Sequence, residues 1–125
     1  MGSNASIIEG AYAAFARGDI GGVLDLVDDD VEWSSPATLP QGGHFHGRDG
    51  VGQFFQALGN GWSALTLDVE GVSEAGSDTV IGVVRADGTR RDGGPSGYGA
   101  AHVFTVRQGK IVRFREYTDL DAPLG

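Results

Sequence analysis

The chain has 125 residues, enough to bury one real core and too few for two. Hydrophobic residues make up 40% and charged residues 21%, which argues against a disordered chain, and the formal charge of −8 repels phosphate backbones and anionic lipid surfaces. Cysteine is absent and no apolar run approaches the roughly 18 residues of a membrane span, so a cytoplasmic protein without disulfides, thiolate metal sites, nucleic-acid partners or membrane partners is expected.

Met1 to Ala5 reads as an expression remnant with no secretory pattern, which leaves residues 6–125 as a single domain. Ser6 and Glu9 form a Ser-x-x-Glu capping box, and Ile8, Ala11, Tyr12 and Phe15 follow at helical spacing until Gly18. Asp19 suits the N-cap of a second, shorter helix with Ile20, Val23, Leu24 and Val27 on one face. Asp28, Asp29 and Asp30 read as a polar break before a short strand from Val31 to Ser35, and Pro36 to Gly43 reads as loop. Asp49 is placed to cap a third helix carrying Val51, Phe54, Phe55 and Leu58.

After Gly61 the period changes to two. Leu65, Leu67 and Val69 alternate with polar residues as in a half-buried strand, and Thr79 to Arg85 is a β-branched run. Asp87-Gly88 is turn chemistry, and the glycine-rich stretch from Gly93 to Gly99 reads as a loop or a frayed strand start. Two last strands, Ala100 to Arg107 and Ile111 to Thr118, are joined by a tight hairpin at Gln108-Gly109. Helices first and an antiparallel meander after them predict an α+β domain in which a strongly bent sheet forms a cone-shaped barrel closed by three N-terminal helices.

The Tyr12-Ala-Ala-Phe15 turn, then Gly18-Asp19, a second helix and Asp29-Asp30-Val31-Glu32-Trp33 resemble the opening of the SnoaL-like group. His46-Gly47-Arg48-Asp49, His102-Val-Phe-Thr-Val106, and Gly109-Lys110-Ile111 leading to Arg115-Glu116-Tyr117-Thr118-Asp119 agree with it in order. That group lies in the nuclear transport factor 2-like superfamily, with ketosteroid isomerase and limonene epoxide hydrolase. The resemblance implies a cone with an apolar small-molecule pocket and a homodimer. It does not imply one activity.

Strand parity puts Val31, Trp33 and Ser35 on one side of their strand, His102, Phe104 and Val106 on one side of theirs, and Arg115, Tyr117 and Asp119 on one side of the last. By resemblance, the sides holding Trp33, His102 and Asp119 face into the cone. The isomerase's carboxylate base falls nearest Ser35, which cannot serve; its tyrosine falls nearest Ala11, with Tyr12 one place on, and its second oxyanion donor near His102. SnoaL-type cyclases use a pocket Asp, which Asp119 resembles; an apolar cavity raises a carboxyl pKa toward neutrality. His102 is then a proton relay or oxyanion donor, with Arg85 assisting.

The limonene epoxide hydrolase arrangement of Asp, Arg and Asp has its nearest counterpart in Arg85-Ala86-Asp87 with Asp119, although Trp33 and Ser35 stand where that enzyme holds its water. Trp33 and Tyr98 are the expected ligand contacts, with Tyr12, Ser35, Phe55, Phe104 and Tyr117 around them. His44-Phe45-His46 lacks a third ligand at a recognised spacing, and the glycine-rich stretch precedes a strand rather than a helix, so neither metal nor cofactor is expected. Two readings stay open. One is a cofactor-free isomerase, cyclase or hydrolase, with epoxide hydrolysis as an alternative chemistry; the other is a non-catalytic ligand-binding or dimerisation domain.

Overall fold

Ser3 begins the fold, because its hydroxyl accepts the Ser6 amide at 3.1 Å and caps helix α1, Asn4–Ala16. The helix thus starts ahead of the predicted capping box, and Asn4 and Ala5 are tied down by Ser77 and Glu74. The computed structural model describes residues 3–94 and 97–119. Met1 and Gly2 of the predicted remnant, Pro95 and Ser96 of the glycine-rich stretch, and residues 120–125 of the predicted domain lie outside that range.

Gly18, at φ +75°, ends α1 in a conformation that side chains resist, and the Asp19 carboxylate then caps α2, Ile20–Leu24, through the Gly22 amide. Strand β1, Val27–Ser35, takes in the acidic triplet that reads as a break; Asp28 accepts the Asp30 amide, and the pairing register slips there. Strand β2, Gly43–His46, covers one edge of β1, and α3, Gly47–Gly61, follows at once. Gly47 sits at φ +75° and His46 occupies the N-cap position, so Asp49 lies inside the first turn instead of capping it.

Strands β3, Trp62–Glu74, and β4, Thr79–Arg90, are longer than predicted. Asp87-Gly88 is strand rather than turn, because β3 crosses so close at Ala64 and Leu65 that a β-carbon at Gly88 would overlap their backbone. Strands β5, Gly97–Arg107, and β6, Lys110–Thr118, complete an open sheet of order β2-β1-β6-β5-β4-β3. All its pairs are antiparallel except β1 with β6, which is parallel. The result is α+β: a curved, cone-like sheet with helices over its concave side. No helix among the described residues is long and apolar enough to cross a membrane.

The hairpin between β5 and β6 turns through Gln108 and Gly109, both at positive φ, as a two-residue hairpin requires. Beside the turn Arg107 faces Lys110 and Val106 faces Ile111; above it Thr105 faces Arg113 and Phe104 faces Phe114. Val112 is skipped. One extra residue in a strand reverses the face of everything beyond it. Ile111 therefore points inward, and so do Phe114, Glu116 and Thr118, all buried, whereas Arg115, Tyr117 and Asp119 point out. The predicted grouping of those three holds, and their predicted direction does not.

Candidate active site

Three strands and one helix bring four polar side chains into one chain of hydrogen bonds. Trp33 and Ser35 face inward from β1, and β6 runs beside it with Phe114 opposite Trp33. On β6 Glu116 is paired with His102 of β5, which is in turn paired with Gly82 of β4. The absent side chain at Gly82 leaves a gap, and Tyr12 of α1 fills it: a β-carbon there would overlap the Tyr12 hydroxyl. Tyr12 Oη lies 2.8 Å from His102 Nδ1, His102 Nε2 lies 3.0 Å from Glu116 Oε2, and Ser35 Oγ donates to Glu116 Oε1 at 2.5 Å.

An ionised Glu116 aligns these bonds in one direction. Ser35 and the Nε2–H of His102 both donate to the carboxylate, which leaves Nδ1 to accept the Tyr12 hydroxyl. His102, Glu116 and Ser35 are all buried, so each bond replaces water that is absent. Burial first, and the charge of Glu116 second, push the Tyr12 hydroxyl well above the ordinary phenol value. Tyr12 is therefore a donor of hydrogen bonds rather than a ready anion. The same two causes, in the same order, raise Tyr98.

Tyr12, His102 and Glu116 stand in the wall of a cavity of about 70 Å³ that is otherwise mostly apolar. Trp33, Phe55, Tyr98 and Phe104 line it as well, joined by Phe54, Phe114 and Leu58. Trp33 stacks on Phe114 with centroids 4.1 Å apart, and the His102 ring meets the same Phe114 edge-on at 5.0 Å. Tyr12, Phe15, Leu65 and Leu67 also line a wider groove of about 540 Å³ between α1 and β3. These four side chains separate the inner space from the outer.

The structure brings together Tyr12, Trp33, Phe55, Tyr98, His102 and Phe104, with Ser35 behind Glu116. Asp119, Arg85 and Tyr117 do not join them. Asp119 is 56% exposed, accepts the Gly99 amide and pairs loosely with Arg85 at 3.8 Å, while Tyr117 is 53% exposed on the convex face. Asp87, from the epoxide-hydrolase arrangement, is exposed too. The reason is the Val112 bulge, which turns Asp119 and Tyr117 outward and Glu116 inward. Glu116 and Gly82 are the residues that sequence reasoning missed. A signal for Glu116 existed: Ile111 and Phe114 are three apart and cannot share one face of an unbroken strand.

His44 and His46 on β2 both bond to Glu32 of β1, His44 at 2.8 Å, and these bonds, His44 first, hold the Glu32 carboxyl below the usual range. Among the described residues no group of His, Cys, Asp and Glu is arranged to hold a metal ion.

A curved six-stranded sheet with three helices on its concave side and a cavity between them defines a protein of the nuclear transport factor 2-like fold. The chain belongs to the SnoaL-like domain family, whose profile matches residues 8–114. An NTF2-like protein from Burkholderia thailandensis is similar at 36% identity, with a TM-score of 0.86 over 95% of this chain and 92% of that one. An NTF2-like protein of unknown function from Burkholderia pseudomallei is similar at 26% identity and a TM-score of 0.84, over 95% and 92% of the two chains. TerC, co-crystallised with polyporic acid, is 27% identical with a TM-score of 0.80, over 92% of this chain and 90% of that one. A search of the curated proteins finds no match.

Proposed function

We propose that this chain is a cofactor-free acid–base catalyst acting on a small, mostly apolar molecule, with His102 as the group that moves the proton. The observation that carries this reading is the buried chain Tyr12–His102–Glu116–Ser35 in the wall of an apolar cavity. An imidazole held at one nitrogen by a carboxylate is fixed in orientation, and its protonated form is stabilised by that charge. Tyr12, kept neutral by burial, gives its one O–H to His102 Nδ1, so its oxygen can take a proton from a ligand while its own proton passes to His102, whose charge Glu116 then offsets. Glu116, and not Asp119, is the buried carboxylate beside His102, and the proton transfer expected of Asp119 falls to His102. Arg85 acts at most on the outer surface, through Asp119.

A second reading has its own support. The inner cavity is small and its wall is mostly apolar, which suits a protein that holds a ligand without changing it. The complex of TerC with polyporic acid is consistent with ligand binding in this fold under either reading. A thermal-shift screen of enones, epoxides and polyketide-like aromatics, followed by turnover assays on each ligand that binds, separates the two. Under the catalytic reading His102→Gln lowers turnover at least about a hundredfold, the range of a general acid–base group, while binding persists. Turnover unchanged in that variant removes His102 from the mechanism. Ligands that bind and are never converted favour the second reading.

A further inference from the structure

We propose that Trp33 is a specificity-determining donor, and that the cavity selects a neutral molecule carrying one hydrogen-bond acceptor, such as a carbonyl or ether oxygen. This rests on the cavity's being the ligand site, as argued above, and not on its being catalytic.

Trp33 is only 4% exposed, and its indole Nε1 is buried without a hydrogen-bond partner among the described residues. The other tryptophan shows the contrast: Trp62 Nε1 donates to Gln41 Oε1 at 3.1 Å. A buried donor without a partner destabilises a fold, because the hydration it loses is not replaced. Around the Trp33 ring stand Phe114, Phe54 and Phe55, none of which offers an oxygen. The acceptor proposed for it is an oxygen of a ligand in the cavity that Trp33 lines.

The charge of that acceptor follows from the rest of the wall. Among the described residues no Lys or Arg lines the cavity, and Glu116 does. A carboxylate or phosphate ligand would be desolvated beside a like charge, which is unfavourable twice over. A neutral oxygen meets the indole N–H without either penalty. Trp33 and His102 both pack on Phe114, and both line the cavity.

Three ring compounds test this: cyclohexanone, methylenecyclohexane and cyclohexanecarboxylate. The first two differ in hydration, so the quantity read is how their affinity ratio changes between wild type and Trp33→Phe. The proposal expects the variant to shift that ratio about fivefold toward the alkene, the worth of one net hydrogen bond. In wild type the Trp33 indole N–H resonance should move downfield with cyclohexanone and stay with methylenecyclohexane, a readout that needs no variant to fold. The carboxylate should bind at least tenfold more weakly than the ketone. An unchanged ratio with an unmoved resonance overturns the role of Trp33, and tight binding of the carboxylate overturns the neutral class. If neither uncharged probe binds, the ligand-site reading itself falls. If cyclohexanone binds with the indole signature but no ligand is ever turned over, this inference stands and the catalytic one is lost.

Discussion

Glu116 and Asp119 lie three residues apart on one strand, and the fold treats them in opposite ways. Glu116 accepts from Ser35 and His102 inside the protein; Asp119 accepts a backbone amide and meets Arg85 at the surface. Glu116→Leu should therefore lower the free energy of unfolding by about 2–4 kcal/mol, because two buried donors lose their charged acceptor. Asp119→Asn should change it by less than about 1 kcal/mol, since exposed pairs contribute little. Urea unfolding of the two variants checks the contrast. Tyr12 adds a pH dependence. Its ionisation is raised in the folded state, so the unfolded chain releases that proton first, and stability is lost as pH rises from about 10, the ordinary phenol value. Tyr12→Phe should flatten that alkaline decline in a series of melting curves; an unchanged slope would count against the buried hydroxyl. At this scale His102, Trp33 and Tyr12 were legible in the sequence. They are the polar or amphipathic members of stripes whose spacing fixes their face.

Elements set which of these groups can meet. Strand β4 gives up a side chain at Gly82, opposite His102, and the hydroxyl of α1 occupies the space. Gly82→Ala should thus destabilise the protein by about 1–3 kcal/mol through overpacking, and at least half of that should vanish in the Tyr12→Phe background. A double-mutant cycle measures it, and additive effects would show that Tyr12 does not rest on Gly82. The sequence hid this pairing because a glycine's use depends on a neighbour 70 residues away. The bulge at Val112 was hidden differently. Counting from the Gln108-Gly109 hairpin puts Arg115 opposite His102, whereas one skipped residue puts Glu116 there. Only the broken spacing of Ile111 and Phe114 betrays it. Helices α1, α2 and α3 are legible from periodicity and caps; α2 keeps its Asp19 cap, α1 starts earlier at a Ser3 cap with Asn4 and Ala5 held by Ser77 and Glu74, and α3 starts at positive-φ Gly47.

Across the whole molecule the order of elements was the most legible feature, since a switch from helical to two-residue period divides the chain near Gly61. The parallel pairing of β1 with β6 was not legible, because it joins residues 81 to 84 positions apart, such as Trp33 with Phe114 and Val27 with Ile111. The sheet's convex side leaves Val83, at 44% exposure, Ala101 and Tyr117 in adjacent register. We propose this face as the homodimer contact that the family resemblance implies. Val83→Glu should convert a dimer to a monomer in light scattering, and a wild type that is monomeric at high concentration would dismiss the contact. The central claim concerns the interior: His102 is held at both ring nitrogens, away from water. Nitrogen-15 spectra of the three imidazoles test it directly. The expected spectrum shows His102 with its proton on Nε2 and with signals displaced by both Tyr12→Phe and Glu116→Gln. Signals of His102 that are indifferent to both variants would overturn the hydrogen-bonded chain.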